Sequence, residues 1–316
     1  MARKLFFRNH HSVNPILSPI SIRSDVDGPH LLVTAGVHGD EYEPITALRK
    51  LGRELSSEIR RGQVTLIPRA NPSAYDRGQR RGEDDLDLAR VCPGSQDGTI
   101  TERAAYELSA HIRAADLLVD LHTGGQVLRL NPFAGYTLNR KPEILGQQRR
   151  MAQAFGLPLI WGTNPDFNGT TLAVARDADV PAIYVEWAGG GWCDPAGVNA
   201  MMAGVRNIMA AWKMTDQELP ESAPPRVIED PRDGSGVMQT QYPASVNGFF
   251  EPAVQLDQRV EVGDLLGHVF ENDGDDPTPI RVHEAGFVLG LKSIPKVSVG
   301  DALVVVMTDP GKANGS

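Results

Sequence analysis

HLLVTAGVHGDEYEP, residues 30 to 44, decides the architecture. It opens on an apolar, β-branched run and then packs one histidine and three carboxylates into the six positions from His38 to Glu43. From Glu43 onward Ile45, Leu48, Leu51, Leu55 and Ile59 recur at steps of three and four. The first pattern suits a buried strand and the last an amphipathic helix, so the segment reads as strand, polar loop and helix in succession.

Working outward, the same kind of strand recurs in VTLIP (64 to 68), DLLVDLHT (116 to 123) and PAIYVEW (181 to 187), with helical stretches between. One of these, TERAAYELSAHIRAA (101 to 115), has Thr99 or Thr101 available as its cap. Strands alternating with helices imply an α/β fold with a mostly parallel sheet. Around MTDQELPESAPPRV (214 to 227) the helical pattern gives way to prolines, serine and acids, a linker composition that sets a boundary near 222. Residues 1–222 then form one domain, and 223–316, with short strands, glycines and a twice-used Val-Gly-Asp turn, form a small all-β domain.

With 316 residues and 41% hydrophobic content the chain can build a large core and a smaller second one. A net charge of -9 argues against nucleic acid or an anionic membrane as the main partner. The start, MARKLFFRNHHSVNP, lacks the apolar core of a signal peptide, and no run approaches a membrane span, so a cytoplasmic location is expected. Cys92 and Cys193 are too few for a disulfide framework and read as buried free thiols. Oligomeric state is open, and a homo-oligomer is compatible with the sequence.

His38 and Glu41 are three apart, a spacing at which an imidazole nitrogen and a carboxylate oxygen can meet on one cation. Alone, a polar strand-to-helix turn is the better reading, with Asp40 and Glu41 favouring the positive end of the helix. Position changes that. His122 in DLHTGG and Glu186 in VEWAGGG lie at the carboxyl ends of two further strands, where α/β sheets form their ligand crevice. Two histidines and one carboxylate suit catalytic zinc and leave a fourth position for water, whose pKa the metal lowers towards about 7. Glu186 is then the candidate general base, while Asp40 and Glu43 favour the helix start. In NPSAYDRGQRRGEDDLDLARVCPG (71 to 94), Arg77 and Arg81 read as solvated and internally paired. Arg80 and Arg90 are the better candidates for an oxyanion donor and a carboxylate clamp. Trp187, beside the base, either narrows the pocket or belongs to the core.

AGVHGDEYEP, NPSAYDRGQR, DLARVCPG, DLHTGG and VEWAGG, in that order across roughly residues 31 to 191, resemble the succinylglutamate desuccinylase and aspartoacylase family, relatives of the zinc carboxypeptidases. The resemblance implies one Zn2+ per chain on His38, Glu41 and His122, with Glu186 as general base and acid. It implies that Arg80 polarises the scissile carbonyl and Arg90 grips a substrate carboxylate. It also implies a three-layer α/β/α domain around a mixed sheet, a small β domain after it, and hydrolysis of a small N-acylated amino acid. One motif departs: family members commonly read Asp-Leu-Asn-Arg where this chain has Asp87-Leu88-Ala89-Arg90, which removes an amide that would share the substrate carboxylate. The tail resembles lipoyl and biotinyl carrier domains, with VEVGDLLGHV and VSVGDALVVV as paired strands. Its turn VHEAGF (282 to 287) has no lysine to carry the group, and His283 there reads as a surface residue. The expected activity is a zinc amidohydrolase removing a short acyl group from an amino acid or related amine. The alternatives are a zinc carboxypeptidase acting on peptides and a metal-binding protein without catalysis.

Overall fold

A computed structural model describes residues 3–5, 15–221, 223–271 and 276–308. Apart from residues 3–5, the amino-terminal stretch on which the absence of a leader was read lies outside the described residues up to position 14. Among the described residues, no helix is long and apolar enough to cross a membrane.

The chain starts with strands β1 (Arg3–Leu5), β2 (Ile20–Arg23) and β3 (His30–Thr34), then helix α1 (Tyr42–Glu54) and β4 (Gln63–Ile67). Two short helices, α2 (Pro72–Arg77) and α3 (Leu88–Val91), precede α4 (Ile100–Arg113) and β5 (Leu117–Thr123). Next come β6 (Leu128–Thr137), α5 (Pro142–Phe155), β7 (Leu159–Thr163), α6 (Thr171–Asp177), β8 (Ala182–Gly189) and α7 (Pro195–Ala211). The remainder is β: β9 (Arg226–Glu229), β10 (Gly248–Pro252), β11 (Arg259–Val260), β12 (Leu265–Phe270), β13 (Thr278–Arg281), β14 (Gly286–Lys292), β15 (Lys296–Val297) and β16 (Val304–Thr308).

Strands β4, β3, β5 and β8 run parallel side by side, flanked by antiparallel β2 and β6, so the sheet is mixed. All seven residues of β5 are buried, as a strand covered by helices on both faces requires. On one face Leu48, Leu51 and Leu55 of the α1 segment pack with Met201, Val205 and Ile208 of α7 and with Phe155 of α5. On the other, Leu108 and Ile112 of α4 pack with Leu172 and Val174 of α6. The α/β/α layering with a mixed sheet is thus present. The cap of α4 is Thr99, whose N–H donates to Glu102 while its hydroxyl shares the same carboxylate.

The pairing around β6 joins the two halves of the chain. One edge of this ten-residue strand faces β8; its other edge is divided between β7, along residues 134 to 137, and β14, along residues 128 to 130. Strand β9, just past the linker, pairs with β7. A second sheet, β13-β12-β10-β15, packs Phe250, Leu266 and Val269 against Val288, Val304 and Val306 of β14 and β16.

The tail corrects one expectation. VEVGDLLGHV and VSVGDALVVV do not pair with each other: β12 bonds β10 and β13, whereas β16 bonds β14 in the large sheet. The two copies face each other across an apolar layer, which buries both hydrophobic sets without hydrogen bonds between them. His283 is exposed, its ring stacked on Tyr242 at 4.3 Å.

Candidate active site

The loop after β3 is tied down before it delivers any chemistry. Ala35 N–H donates to the carbonyl of Ile67 at 2.9 Å and Gly39 N–H to that of Gln79 at 2.9 Å. A Cβ at Gly39 would lie 2.0 Å from backbone atoms of Ala74, so only glycine lets the 71–80 segment approach this closely. Glu41 is the residue before the first turn of α1, in extended conformation (φ -106, ψ 94), and makes no capping bond with its side chain. Its carboxylate turns instead between two imidazoles.

His38 Nδ1 lies 2.6 Å from Glu41 Oε1, and His122 Nδ1 lies 3.1 Å from Glu41 Oε2. The other nitrogen of each ring meets an aspartate: His38 Nε2 is 3.2 Å from Asp87 Oδ1, and His122 Nε2 is 3.0 Å from Asp120 Oδ2. If each Nε2–H donates to its aspartate, both Nδ1 atoms are lone-pair nitrogens facing a carboxylate, and a proton or a cation must sit between them. Ligand atoms of His38, Glu41 and His122 all lie within 4.8 Å of one another, and all three residues are buried. This donor set fits a divalent metal, with each histidine oriented by a carboxylate behind it.

The surrounding charges agree. Burial alone would raise the Glu41 carboxyl, yet His38 and His122 outweigh it and hold it down to about 2. Burial likewise opposes the His122 imidazolium, but Asp120 and Glu41 keep its pKa well above the usual histidine value. Asp120 is fixed in turn by Thr34 Oγ1 and Thr171 Oγ1, each donating at 2.5 Å.

Glu186 stands directly across from His122 in the parallel register of β5 and β8. Its Oε2 is buried without a hydrogen-bond partner among the described residues. Burial pushes its carboxyl well above the carboxylate range, His122 pulls the other way, and the charge of Glu41 adds to the rise. Tyr184 lies two residues earlier on the same strand face, its ring edge-on to Phe133 at 5.6 Å. A Cβ on Gly135 of β6 would lie 2.2 Å from that ring, so glycine makes the room for it.

Asp87 does three things at the amino end of α3. It accepts from Ala89 N–H at 2.9 Å, from Arg80 Nε at 2.9 Å, and faces His38. Arg80 is thereby held beside the triad. Arg90 sits over the Phe167 ring, 5.0 Å from its centroid, and its Nη2 donates to Gln239 Oε1 at 3.3 Å. Of these, the two histidines, Glu41, Glu186, Tyr184, Arg80, Arg90, Phe167 and Gln239 line one cavity of about 170 Å³, together with residues from β6, α6 and the 235–239 segment. On that measure a single water needs roughly 10–15 Å³, so a small organic molecule has room.

The six residues singled out from sequence, His38, Glu41, His122, Glu186, Arg80 and Arg90, therefore converge on one cavity. Asp120 and Tyr184 were missed, although a period-two rule applied backwards from His122 and Glu186 finds both. Gln239 and Met238 arrive from beyond the linker, and no local pattern marks them. Glu43 lies in the first turn of α1, as expected, and both Asp40 and Glu43 also make tertiary bonds. Asp40 accepts from Gln126 N–H at 2.9 Å and Glu43 from Asp194 N–H at 3.1 Å, so each ties a neighbouring loop to the helix start. Trp187 points away from Glu186, packs against the α7 face and donates from Nε1 to Asp194 at 3.1 Å. Arg77 is occupied with Gly82 and Asp85. Cys92 is buried, its thiol pushed up to about 12 by burial and by Asp120, whereas Cys193 is only half-buried.

Residues 27–212 match the succinylglutamate desuccinylase/aspartoacylase catalytic domain. Over 301 residues the chain is 30% identical to the N-alpha-acetyl-L-2,4-diaminobutyric acid deacetylase of Halomonas elongata, spanning 92% of this chain and 85% of that protein. It is 28% identical over 178 residues to a succinylglutamate desuccinylase of Pseudomonas paraeruginosa, spanning 54% of this chain and 46% of that one. A succinylglutamate desuccinylase from Silicibacter sp. TM1040 superposes with a TM-score of 0.84 at 25% identity, over 92% of this chain and 88% of that one. The product-bound ectoine utilization protein EutE (DoeB) of Ruegeria pomeroyi also gives 0.84, at 26% identity, over 92% and 89%. The chain belongs to the succinylglutamate desuccinylase/aspartoacylase family.

Proposed function

We propose that this chain is a zinc-dependent amidohydrolase that removes a short acyl group from an N-acyl amino acid. The observation that carries the reading is the Oε2 of Glu186, without a hydrogen-bond partner among the described residues and placed in register with His122 beside the convergent His38–Glu41–His122 group. His38 Nδ1, His122 Nδ1 and Glu41 would hold the ion. When bound, zinc would acidify a water and polarise the scissile carbonyl.

The chain's own groups account for the rest of the chemistry. Glu186 Oε2 takes the proton of the attacking water and returns it to the departing amine nitrogen; its burial raises its affinity for that proton, which suits a group that must hold and then release it. Arg80, fixed at Nε by Asp87, directs its remaining donors at the carbonyl oxygen as charge develops there. Arg90 supplies a forked cation for a substrate carboxylate. We take residues 1–222 as the catalytic unit and 223–316 as a β unit whose first residues wall the cavity. That wall, residues 235 to 239, weighs against a peptide-trimming carboxypeptidase, which needs an open path for the chain. The deacetylase and desuccinylase relatives support an acyl-amide substrate.

Metal analysis and an acyl-amide hydrolysis screen test the reading together. Glu186→Gln is expected to keep one zinc per chain and lose about 10²–10⁴-fold in turnover. Wild-type rates in that variant would remove Glu186 from the chemistry.

A further inference from the structure

We propose that the substrate carries a single charge, a carboxylate seated between Arg90 and Gln239, and that the rest of the molecule is neutral. This rests on the deacylase reading above and adds the substrate class. It follows from a census of the charges facing the cavity.

Besides the two histidines, the cations lining it are Arg80 and Arg90. Arg80 is bound to Asp87 and directed at the reacting carbonyl, so the cation left for a substrate anion is Arg90, whose Nη1 donates to the Ala89 carbonyl at 2.7 Å but which is bonded to no carboxylate among the described residues. A second carboxylate on the acyl group or the side chain would find no cation. The carboxylates lining the cavity are Glu41 and Glu186. Glu41 is occupied by His38, His122 and Thr123 N–H, and Glu186 is the proton carrier. A cationic tail would therefore find no free carboxylate either.

The other walls fit a neutral group. Leu128, Leu130, Phe167, Leu172, Tyr184 and Met238 line the cavity. Two of its polar residues are already engaged: Asn164 donates to Asp233 and Pro231 and accepts from Asp166 N–H, while Ser235 donates to Asp230 and accepts from Asn164 N–H. Burying an unpaired charge among such groups is strongly unfavourable.

Gln239 meets the need that Ala89 creates. Ala89 offers no side-chain donor, and its N–H is taken by Asp87. The Gln239 carbonyl oxygen accepts from Arg90 Nη2 at 3.3 Å, and its Nε2 makes no hydrogen bond among the described residues. An amide donor thus sits beside the guanidinium, brought from another part of the chain.

The zinc-loaded enzyme is assayed on N-acetyl derivatives of 2-aminobutyrate, leucine and methionine, of 2,4-diaminobutyrate and lysine, and of aspartate and glutamate, with N-succinylglutamate and N-acetylbutylamine alongside. The neutral-tailed monocarboxylates are expected to exceed every other compound at least about tenfold in kcat/KM. Gln239→Leu is expected to raise KM about tenfold on them while kcat falls less. Equal or faster turnover of the diaminobutyrate or aspartate derivative overturns the proposal, as does a Gln239→Leu enzyme with unchanged KM. If no acyl amide is hydrolysed at all, it is the deacylase reading that fails. Thermal shifts of the wild-type protein with free 2-aminobutyrate, diaminobutyrate and glutamate then decide the tail preference: stabilisation by the neutral amino acid alone upholds it, and stabilisation by either charged one overturns it.

Discussion

His122 and Glu186 stand on adjacent parallel strands in the middle of the sheet, whereas Met238 and Gln239 reach the same cavity from an irregular segment just beyond β9. The first pair is fixed by strand register and by a relay of carboxylates and hydroxyls behind it; the second rests on one bond to Arg90 and on apolar contact. Groups that must meet an ion or move a proton need positions good to a fraction of an ångström, and a central strand provides that. Groups that judge the shape and charge of a side chain can sit on a segment free to vary between relatives. The chemistry is thus confined to the strand ends, while the later segment adds part of the selectivity, and the two contributions can be perturbed separately.

The largest effect is expected where the strand ends meet. His122→Ala removes one of the three proposed ligands and leaves Glu41 and Asp120 facing an empty space, so bound zinc should fall to near zero and hydrolysis to background. Elemental analysis after dialysis against metal-free buffer, beside an activity assay, checks both. Full zinc in this variant would mean that the ion is held elsewhere.

The next tests how far the two halves are one structure. Leu289 of β14 is 1% exposed and packs with Leu128, Leu130, Trp161 and Ile228, residues from both sides of the linker. Leu289→Ala should cost about 2–5 kcal/mol, read by chemical denaturation as one earlier transition of the whole chain. If the β tail folded by itself, the variant would instead split the curve, with an early transition for the tail and an unshifted one for the rest. Because Leu128 and Leu130 also line the cavity, KM should rise before the protein unfolds.

Much of the site was legible because its residues lie in short patterns with a physical reason. The apolar run before the loop and the helical period after it place His38 and Glu41 at a strand-to-helix junction, and the two other strand ends follow from the α/β alternation. Arg80 and Arg90 were reached on chemistry and resemblance. Gln239 was not legible, because its place depends on β9 pairing with β7, a contact between residues more than sixty positions apart that leaves no local trace. The same holds for β14, whose pairing with β6 carries the tail into the central sheet. In the carrier-like tail the repeat was visible, but its pairing was not: two similar apolar strands can bond edge to edge or face each other across a layer, and periodicity alone does not separate the two.

The smallest expected effect lies one step behind the metal. Asp120 does not line the cavity; it holds His122 Nε2 and is held by Thr34 and Thr171. Asp120→Asn keeps the shape, can still accept from one hydroxyl, and offers the imidazole a neutral oxygen in place of an anion. The ring then loses both its bias towards the Nδ1 lone pair and part of its basicity, which should weaken zinc binding about 10–100-fold without abolishing it. Competition with a chelator of known affinity measures this directly. At saturating zinc the variant should recover most of its turnover, since Glu186, Arg80 and the cavity walls are untouched; a kcat that stays low at full occupancy would mean that Asp120 serves the proton on Glu186 as well as the orientation of His122.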